Sequence, residues 1–264
     1  MGEAQAIATA FVEARRAARA LESYPGNAPQ DLGTAYRIQD AAIALDGRSI
    51  KGWKVGRINP PLDAQLGANR LAGPIFADTV VAPANGDVPV MPVFADGFAA
   101  AEAELLLHIA PGMAGARPVT DAETRAVIDE VRLGMEIASS PYPGINADGP
   151  AVTASDFGNN HGLVMGAPLL DWQEIDLCAI PVRTLIDGAV IGEATAATML
   201  DGPYGAVRFL LANLAERGID ISGGTWVSTG AITGVHQVVP GQAVQAEFGT
   251  HGSVQCMIGT TKVV

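Results

Sequence analysis

A change of hydrophobic pattern near Ile50 constrains the fold of this 264-residue chain more than any other feature. Before that point, apolar residues recur at helical spacing. This predicts one helix over about 7–21 and a second over about 31–45. After it, short apolar runs are separated by Gly, Pro and Asn, which is typical of strands joined by turns. The chain is therefore predicted to open with helices and to continue mainly as sheet.

Two further helices are predicted inside the strand-rich region. A capping box opens one of them over about 120–131, and an early proline and a following glycine bracket the other over about 203–217. Between them, the pair Asp187-Gly188 separates two apolar runs and indicates a two-residue hairpin. Because strands and helices do not alternate strictly, the order predicts an α+β fold rather than a parallel doubly wound sheet.

Charge and composition narrow the classes of partner and compartment. The formal net charge of −12 repels phosphate backbones, so nucleic acid is not an expected partner. No run of 18 apolar residues is present, and Glu3 and Glu13 interrupt the first helix, so we expect neither a membrane span nor a signal peptide. Cys178 and Cys256 cannot form a disulfide framework, and a reducing, cytoplasmic compartment is expected.

Two glutamates separated by one residue, Glu102 and Glu104, lead into the apolar run at 105–107. In a strand, residues i and i+2 face the same way, so these two carboxylates would share one face. Two like charges so close together are costly unless a cation joins them. The spacing alone slightly favours the alternative of a solvated strand edge.

A third glutamate, Glu136, lies alone in the apolar run LGMEIA. A glutamate inside such a run is rarely buried without a partner. If this strand neighbours the one that carries Glu102 and Glu104, the three carboxylates form an all-oxygen site that suits Mg²⁺ or Mn²⁺. The four histidines show no zinc-like spacing and are expected to be structural or on the surface.

A lysine between two glycines, in the segment KGWKVG, is the next candidate. Strand alternation puts Trp53 and Lys54 on opposite faces. Lys54 is therefore either a surface lysine or an ammonium aimed into a pocket, where it could hold a carboxylate or move a proton. The polar loop from Asp156 to Asn160 also has two interpretations: its short polar side chains either stabilise a turn or line a pocket. No nucleotide-binding or serine-hydrolase motif is evident.

Together these segments resemble the 2-oxopent-4-enoate hydratase and 4-oxalocrotonate decarboxylase family, within the fumarylacetoacetase-like superfamily. The resemblance runs along nearly the whole chain, and the order and spacing of its motifs are specific. They are Ala-Tyr-Arg-Ile-Gln at 35–39, Gly-Trp-Lys-Val-Gly at 52–56, Glu-Ala-Glu at 102–104, Glu-Ile at 136–137, Asp-Phe-Gly-Asn-Asn at 156–160 and Ser-Thr-Gly at 228–230.

The resemblance implies an architecture and a metal site. It implies a mixed, bent β-roll as the catalytic domain over 81–264, after an N-terminal segment of helices and strands over 1–80. It also implies a homo-oligomer and leaves open a complex with a related enzyme of the same pathway. The implied Mg²⁺ or Mn²⁺ ligands are Glu102, Glu104 and Glu136.

The resemblance also suggests roles for other residues. Lys54 is implied as a catalytic group in the pocket, and Asp78 is matched more loosely to an active-site aspartate. Asp156 and Asn160 fall on the family's polar loop and are predicted to bind substrate. Arg57 stands in a segment that departs from the family's usual Leu-Thr-Ser, which leaves the substrate's identity open.

The implied reaction is that of a hydratase, a carbon–oxygen lyase of aromatic meta-cleavage catabolism. It would add water to a 2-hydroxy-2,4-dienoate or 2-oxo-4-enoate to give a 4-hydroxy-2-oxo acid, with the cation as a Lewis acid. Decarboxylation of a 2-oxo-3-enedioate and acylpyruvate-type C–C hydrolysis are the alternatives. Arg57 and, more weakly, Arg70 either bind a second substrate carboxylate or are solvated.

Overall fold

The computed structural model describes residues 2–84 and 86–263. Its helices are α1 Glu3–Arg16, α2 Leu32–Asp46, α3 Leu62–Leu66, α4 Asp121–Arg125, α5 Pro150–Ser155 and α6 Gly202–Glu216. Its strands are β1 Ile50–Arg57, β2 Arg70–Phe76, β3 Val80–Val81, β4 Val90–Val93, β5 Phe98–Ile109, β6 Ile128–Ser140, β7 Asn160–Pro168, β8 Pro181–Ile186, β9 Ala189–Thr195, β10 Thr225–Ser228, β11 His236–Gln237, β12 Ala243–Phe248 and β13 Ser253–Thr260.

A mixed sheet of eight strands forms the centre of the molecule. Its long strands β5 and β6 pair antiparallel, and β10 lies between β5 and β1, antiparallel to the first and parallel to the second. Segments far apart in the sequence therefore become neighbours in space. The full strand order is β2-β1-β10-β5-β6-β7-β3, with β11 joined to β5.

A second sheet, in the order β4-β13-β12-β8-β9, packs against one face of the first. Strand alternation determines which side chains enter the core between them. Ala103, Leu105 and Leu107 of β5 belong to one buried cluster with Phe248 of β12 and Val254 of β13. The intervening residues of β5 point away from this core, so Glu102 and Glu104 face the other side of the large sheet.

The N-terminal helices pack on each other and on the large sheet through Ile7, Phe11 and Ile38. Asp31 caps α2 by accepting a hydrogen bond from Thr34 N (2.7 Å), and Gly47 ends it in the left-handed conformation. α1 ends at Arg16, before the predicted residue 21. The chain turns there because Ala18 adopts a left-handed φ of 48°.

The predicted α+β class, with a helical N-terminal part and a mixed β architecture, is confirmed. The hairpin at Asp187-Gly188 is also confirmed, since it joins β8 to β9. The helix predicted over 120–131 is too long. Its capping box at Thr120 is present, but α4 ends at Arg125 because the chain from Ile128 onward pairs with β5.

The predicted boundary between 1–80 and 81–264 stays a prediction; β1 and β2 belong to the same sheet as β5. No helix within 2–84 and 86–263 has the length and hydropathy that a bilayer crossing requires.

Candidate metal centre

Three buried glutamates meet on the face of the large sheet that looks away from the second sheet. Glu102 of β5 lies directly opposite Glu136 of β6, and Glu104 follows two residues along the same face. One carboxylate oxygen from each lies within 4.8 Å of the others. The three residues are 5%, 0% and 0% exposed, so the alternative of a solvated strand edge is wrong.

Neighbouring strands hold these carboxylates in place. Ser228 Oγ at the end of β10 donates a hydrogen bond to Glu104 Oε2 (2.5 Å), and Gly230 N donates to the same oxygen (3.0 Å). Asn160 Nδ2 at the start of β7 donates to Glu136 Oε1 (2.9 Å). Each donor occupies one oxygen of its glutamate and leaves the other directed into the cluster.

Lys54 of β1 points into the same cluster. Its Nζ lies 3.2 Å from Glu136 Oε2 and 3.3 Å from Asn159 Oδ1, and the residue is 4% exposed. Trp53 lies on the opposite face in the core, as strand alternation predicts. Lys54 is therefore a buried ammonium, and the alternative of a surface lysine is wrong.

The cluster is electrostatically unbalanced, with three carboxylates and one ammonium. Burial raises the pKa of Glu104 well above its ordinary value and that of Glu102 to about 7, the latter against the attraction of Lys54. For Lys54, burial opposes the charge, but the attraction of Glu136 and the other carboxylates outweighs it and raises the lysine's pKa. A divalent cation would offset the excess negative charge.

The donor set fits a hard divalent cation. Among the residues that the structure describes, Glu104 Oε1 is buried without a hydrogen-bond partner and Glu136 Oε2 has only its ion pair with Lys54. Buried acceptors of this kind are costly unless another group satisfies them. Three carboxylates on rigid strands are a ligand set that Mg²⁺ and Mn²⁺ favour.

A cavity of ≈ 710 Å³ opens from this cluster to the surface. Glu102, Lys54 and Asn159 lie in its wall, as do Arg57 and Arg70. The amide of Asn146 and the hydroxyl of Thr153 add polar groups, while Leu62, Met199, Leu200 and Val235 add an apolar part. The cavity thus joins a charged inner end to a mixed polar and apolar mouth.

Three residues predicted to act in catalysis or substrate binding lie outside the cavity wall. Asp78 is exposed in a 3₁₀ turn after β2, where Arg48 binds it at 3.4 Å, and it does not line the cavity. Asp156 is 1% exposed and pairs with Arg15. Its carboxylate is used inside the protein and does not reach the cavity, so substrate binding by Asp156 stays a prediction that the geometry does not favour. Asn160 contacts Glu136 rather than the cavity.

Other residues of the site had no role predicted from the sequence. Ser228 and Asn159 fall within motifs of the family resemblance, but neither was given a role. Asn146 and Thr153 carry no local motif. Arg15 did have a detectable signal, because it lies four residues after Phe11 and so falls on the apolar face of α1.

The sequence of this chain is similar to those of several enzymes of known activity. No family model matches the chain. A 4-oxalocrotonate decarboxylase of Pseudomonas putida is 27% identical over 208 residues, 79% of this chain and 77% of the relative. A 2-oxo-hept-4-ene-1,7-dioate hydratase of Escherichia coli is 23% identical over 232 residues, 84% of this chain and 85% of the relative.

Solved structures show the same fold. The 4-oxalocrotonate decarboxylase from Pseudomonas putida G7, complexed with magnesium and adipate, superposes with a TM-score of 0.77 at 23% identity over 97% of both chains. The fumarylpyruvate hydrolase from Pseudomonas aeruginosa, in complex with Mn²⁺ and pyruvate, gives 0.61 at 15% identity over 80% of this chain and 90% of that one. The resemblance is thus confirmed: the homologues of this chain include a 4-oxalocrotonate decarboxylase and a 2-oxo-hept-4-ene-1,7-dioate hydratase, and its fold is that of the fumarylacetoacetase-like superfamily.

Proposed function

We propose that this chain is a divalent-metal-dependent lyase that acts on a small 2-oxo acid. The observation that carries the proposal is the buried cluster of Glu102, Glu104 and Glu136, whose oxygens lie within 4.8 Å of one another beside a buried lysine and a cavity. The names of the relatives support the substrate class, since the hydratase is named for a 2-oxo acid.

The residues divide the chemistry among them. The three glutamates would hold Mg²⁺ or Mn²⁺, and the bound cation supplies a Lewis acid for a 2-oxo group and its neighbouring carboxylate. Lys54 Nζ carries a proton at the inner end of the cavity and can pass it to a substrate atom. Asn159 Oδ1 accepts from that ammonium and fixes its direction.

We propose hydration as the reaction, in which water adds to the distal double bond of a 2-oxo-4-enoate. The water oxygen would bond to C4 while C5 takes a proton from Lys54 Nζ, and the proton that the water loses would return to the lysine, so that the product is a 4-hydroxy-2-oxo acid and the ammonium is restored. A polar patch in the cavity wall supports this proposal. Asn159 Nδ2 donates to Asn146 Oδ1 (2.9 Å), which lies 3.2 Å from Thr153 Oγ1, so amide and hydroxyl groups cluster in the wall where they would position a water molecule.

Decarboxylation of a 2-oxo-3-enedioate is the second candidate. Two arginines in the cavity wall favour it, because a diacid needs a partner for its second carboxylate. Asp201 already binds Arg70 at 2.5 Å and offsets part of its charge. Arg57 is exposed and is the stronger candidate for that contact. The relative named 4-oxalocrotonate decarboxylase gives this alternative equal support.

NMR of the reaction mixture tests the function directly. Candidate 2-hydroxydienoates, as monoacids and diacids, are incubated with protein and Mg²⁺, Mn²⁺ or a chelator. We expect a metal-dependent signal of a hydrated carbon, and CO₂ loss instead would assign the decarboxylase. Glu104→Gln should abolish either reaction, whereas Glu174→Gln, an exposed carboxylate change, should not. Turnover that persists in chelator would reject the metal-dependent mechanism.

Oxalate provides a second test because its two adjacent carboxylates present an oxygen pair like that of a 2-oxo acid. In metal-free protein, the anionic cluster should repel it. We expect calorimetric titration to show oxalate binding only with Mg²⁺ present, with each ligand tightening the other. Equal oxalate affinity with chelator would mean that Lys54 and nearby dipoles hold the ligand, and would contradict the metal-dependent proposal.

The predicted homo-oligomer and cytoplasmic location stay predictions. Light scattering after size exclusion measures the first, and a species with the mass of one chain would contradict it.

A further inference from the structure

A buried ion pair joins the N-terminal helix to the loop beside the metal centre. Arg15 Nε and Nη2 donate to the two carboxylate oxygens of Asp156 at 2.7 and 2.8 Å. Arg15 is 7% exposed and Asp156 1% exposed. The guanidinium also reaches Ser139 O at 3.2 Å, and Ser140 Oγ donates to Asp156 Oδ2 at 2.7 Å. This bidentate ion pair has little conformational freedom and a defined geometry.

The residues after Asp156 form a turn in an unfavourable backbone conformation. Phe157, Gly158 and Asn159 have φ angles of 54°, 61° and 59°. Such angles are uncommon for non-glycine residues, and bulky residues adopt them only where the surroundings impose them. The Arg15 Cζ atom lies 5.1 Å from the centre of the Phe157 ring, so the arginine contacts the turn as well as the carboxylate before it.

The turn delivers two amides to the metal centre. Asn159 Oδ1 lies 3.3 Å from Lys54 Nζ, and Asn160 Nδ2 donates to Glu136 Oε1 at 2.9 Å. Arg15 Nη1 also lies 3.4 Å from Asn160 O. One arginine therefore contacts the residue before the turn, the turn itself and the residue after it.

We propose that Arg15 is a positioning residue for the metal centre: through Asp156 it fixes the left-handed turn at 157–159 and so aims Asn159 at Lys54 and Asn160 at Glu136. This inference rests on the proposed metal-dependent function. A merely structural pair would stabilise the fold without changing the affinity of the glutamate cluster for a cation. The two roles therefore differ in a measurable quantity that does not require turnover.

The test is the Mg²⁺ affinity of the full chain, measured calorimetrically without substrate. Arg15→Met alone leaves a buried, unpaired Asp156 and is expected to unfold readily. Arg15→Met combined with Asp156→Asn removes both charges and keeps an acceptor for Ser140. We expect this double variant to bind Mg²⁺ about tenfold or more weakly, which is the usual scale for residues that orient metal ligands.

A cycle with Asn160→Ala separates positioning from general destabilisation. If Arg15 acts through Asn160, adding Asn160→Ala to the double variant should cost far less affinity than it costs in the wild-type chain. Arg16→Met is the matched control, because Arg16 is exposed on the same helix and, within the described part of the chain, its side-chain hydrogen bonds go to carbonyls at the end of α2. Its Mg²⁺ affinity should equal that of the wild type.

The outcomes distinguish this inference from the function on which it rests. A wild-type chain that binds neither Mg²⁺ nor Mn²⁺ rejects the proposed function and the inference with it. Two results would overturn the inference alone, provided that the wild-type chain binds Mg²⁺. One is a double variant whose Mg²⁺ affinity is within twofold of the wild type. The other is a loss of affinity in the double variant that adds fully to the loss caused by Asn160→Ala. If the double variant does not fold, Arg15→Lys replaces it, since lysine keeps the charge and loses the fork. Unchanged affinity in that variant also overturns the inference.

Discussion

Replacing Glu102 with Gln should make the metal-free protein more stable, which is opposite to the usual effect of changing a buried residue. The change keeps the size of the side chain and removes one carboxylate that is 5% exposed. Burial raises the pKa of Glu102 to about 7, with Lys54 opposing and Glu136 adding to the rise. The folded protein therefore disfavours the ionised form, and Gln imitates the neutral one.

The magnitude follows from the two pKa values. In the unfolded chain this carboxyl keeps its ordinary pKa of 4.5, against about 7 in the folded state. At pH values below 4.5, the carboxyl is protonated in both states and does not lower the free energy of unfolding. Between pH 4.5 and about 7, the folded state binds more protons than the unfolded state, so the free energy of unfolding falls as pH rises. At about 1.4 kcal/mol per unit, the total loss is about 3 kcal/mol. Gln has no such loss, so its advantage should be about 3 kcal/mol at pH 8 and below about 1 kcal/mol at pH 5.

Urea unfolding in chelator at both pH values measures the difference, and a repeat in Mg²⁺ should reduce the variant's advantage at pH 8. Mg²⁺ at 100 times its dissociation constant adds about 2.7 kcal/mol to the wild type, while the variant lacks a ligand and gains less. Glu174→Gln, an exposed change, should stay within about 0.5 kcal/mol of wild type. A variant that is less stable at pH 8 in chelator, or that gains as much from Mg²⁺, would refute the reasoning.

Three further predictions follow from the same geometry. Lys54→Met should lower turnover by about 10²–10⁴-fold. The same change should tighten Mg²⁺ binding, because it removes a positive charge beside the carboxylates. Steady-state kinetics measures the first effect and calorimetry the second. A loss of turnover under tenfold would mean that Lys54 takes no part in the chemistry. Gly73→Ala would place a Cβ 2.0 Å from Phe157 O, so it should lower both the melting temperature and the Mg²⁺ affinity, whereas Gly115→Ala, with open space around it, should change neither. If Arg57 binds a second carboxylate, kcat/KM should favour a diacid over its monoacid and Arg57→Gln should abolish the preference; equal values for the wild type would mean that Arg57 is solvated.

Local pattern was enough to predict the parts of the metal centre that lie within single strands. The period of two along β5 placed Glu102 and Glu104 on one face, and the same period separated Lys54 from Trp53. The pattern could not give the pairing of β5 with β6. Whether Glu136 stood opposite Glu102 depended on strand register, which is set by packing and connections outside either segment.

The differences between prediction and structure also have physical causes. Asp156 was assigned to substrate because its partner, Arg15, comes 141 residues earlier in the chain, and no local pattern joins the two. The helix predicted from Thr120 was extended too far because helical propensity beyond Arg125 competes with pairing of β6 to β5, and the pairing prevails. Asp78 was matched in a loosely aligned segment, and its side chain faces solvent beside Arg48.

The position of β10 between β1 and β5 has a consequence for how the protein is made. A ribosome releases β1 and β5 long before residues 225–228, yet both strands need β10 as their neighbour. Until then, each nascent strand presents an unpaired edge to other chains. Contacts so distant in sequence also form slowly, because the loops that they close are long. Completion of the central sheet is therefore a late event in biosynthesis, and a chain released before residue 225 would keep the edges of β1 and β5 that β10 covers exposed.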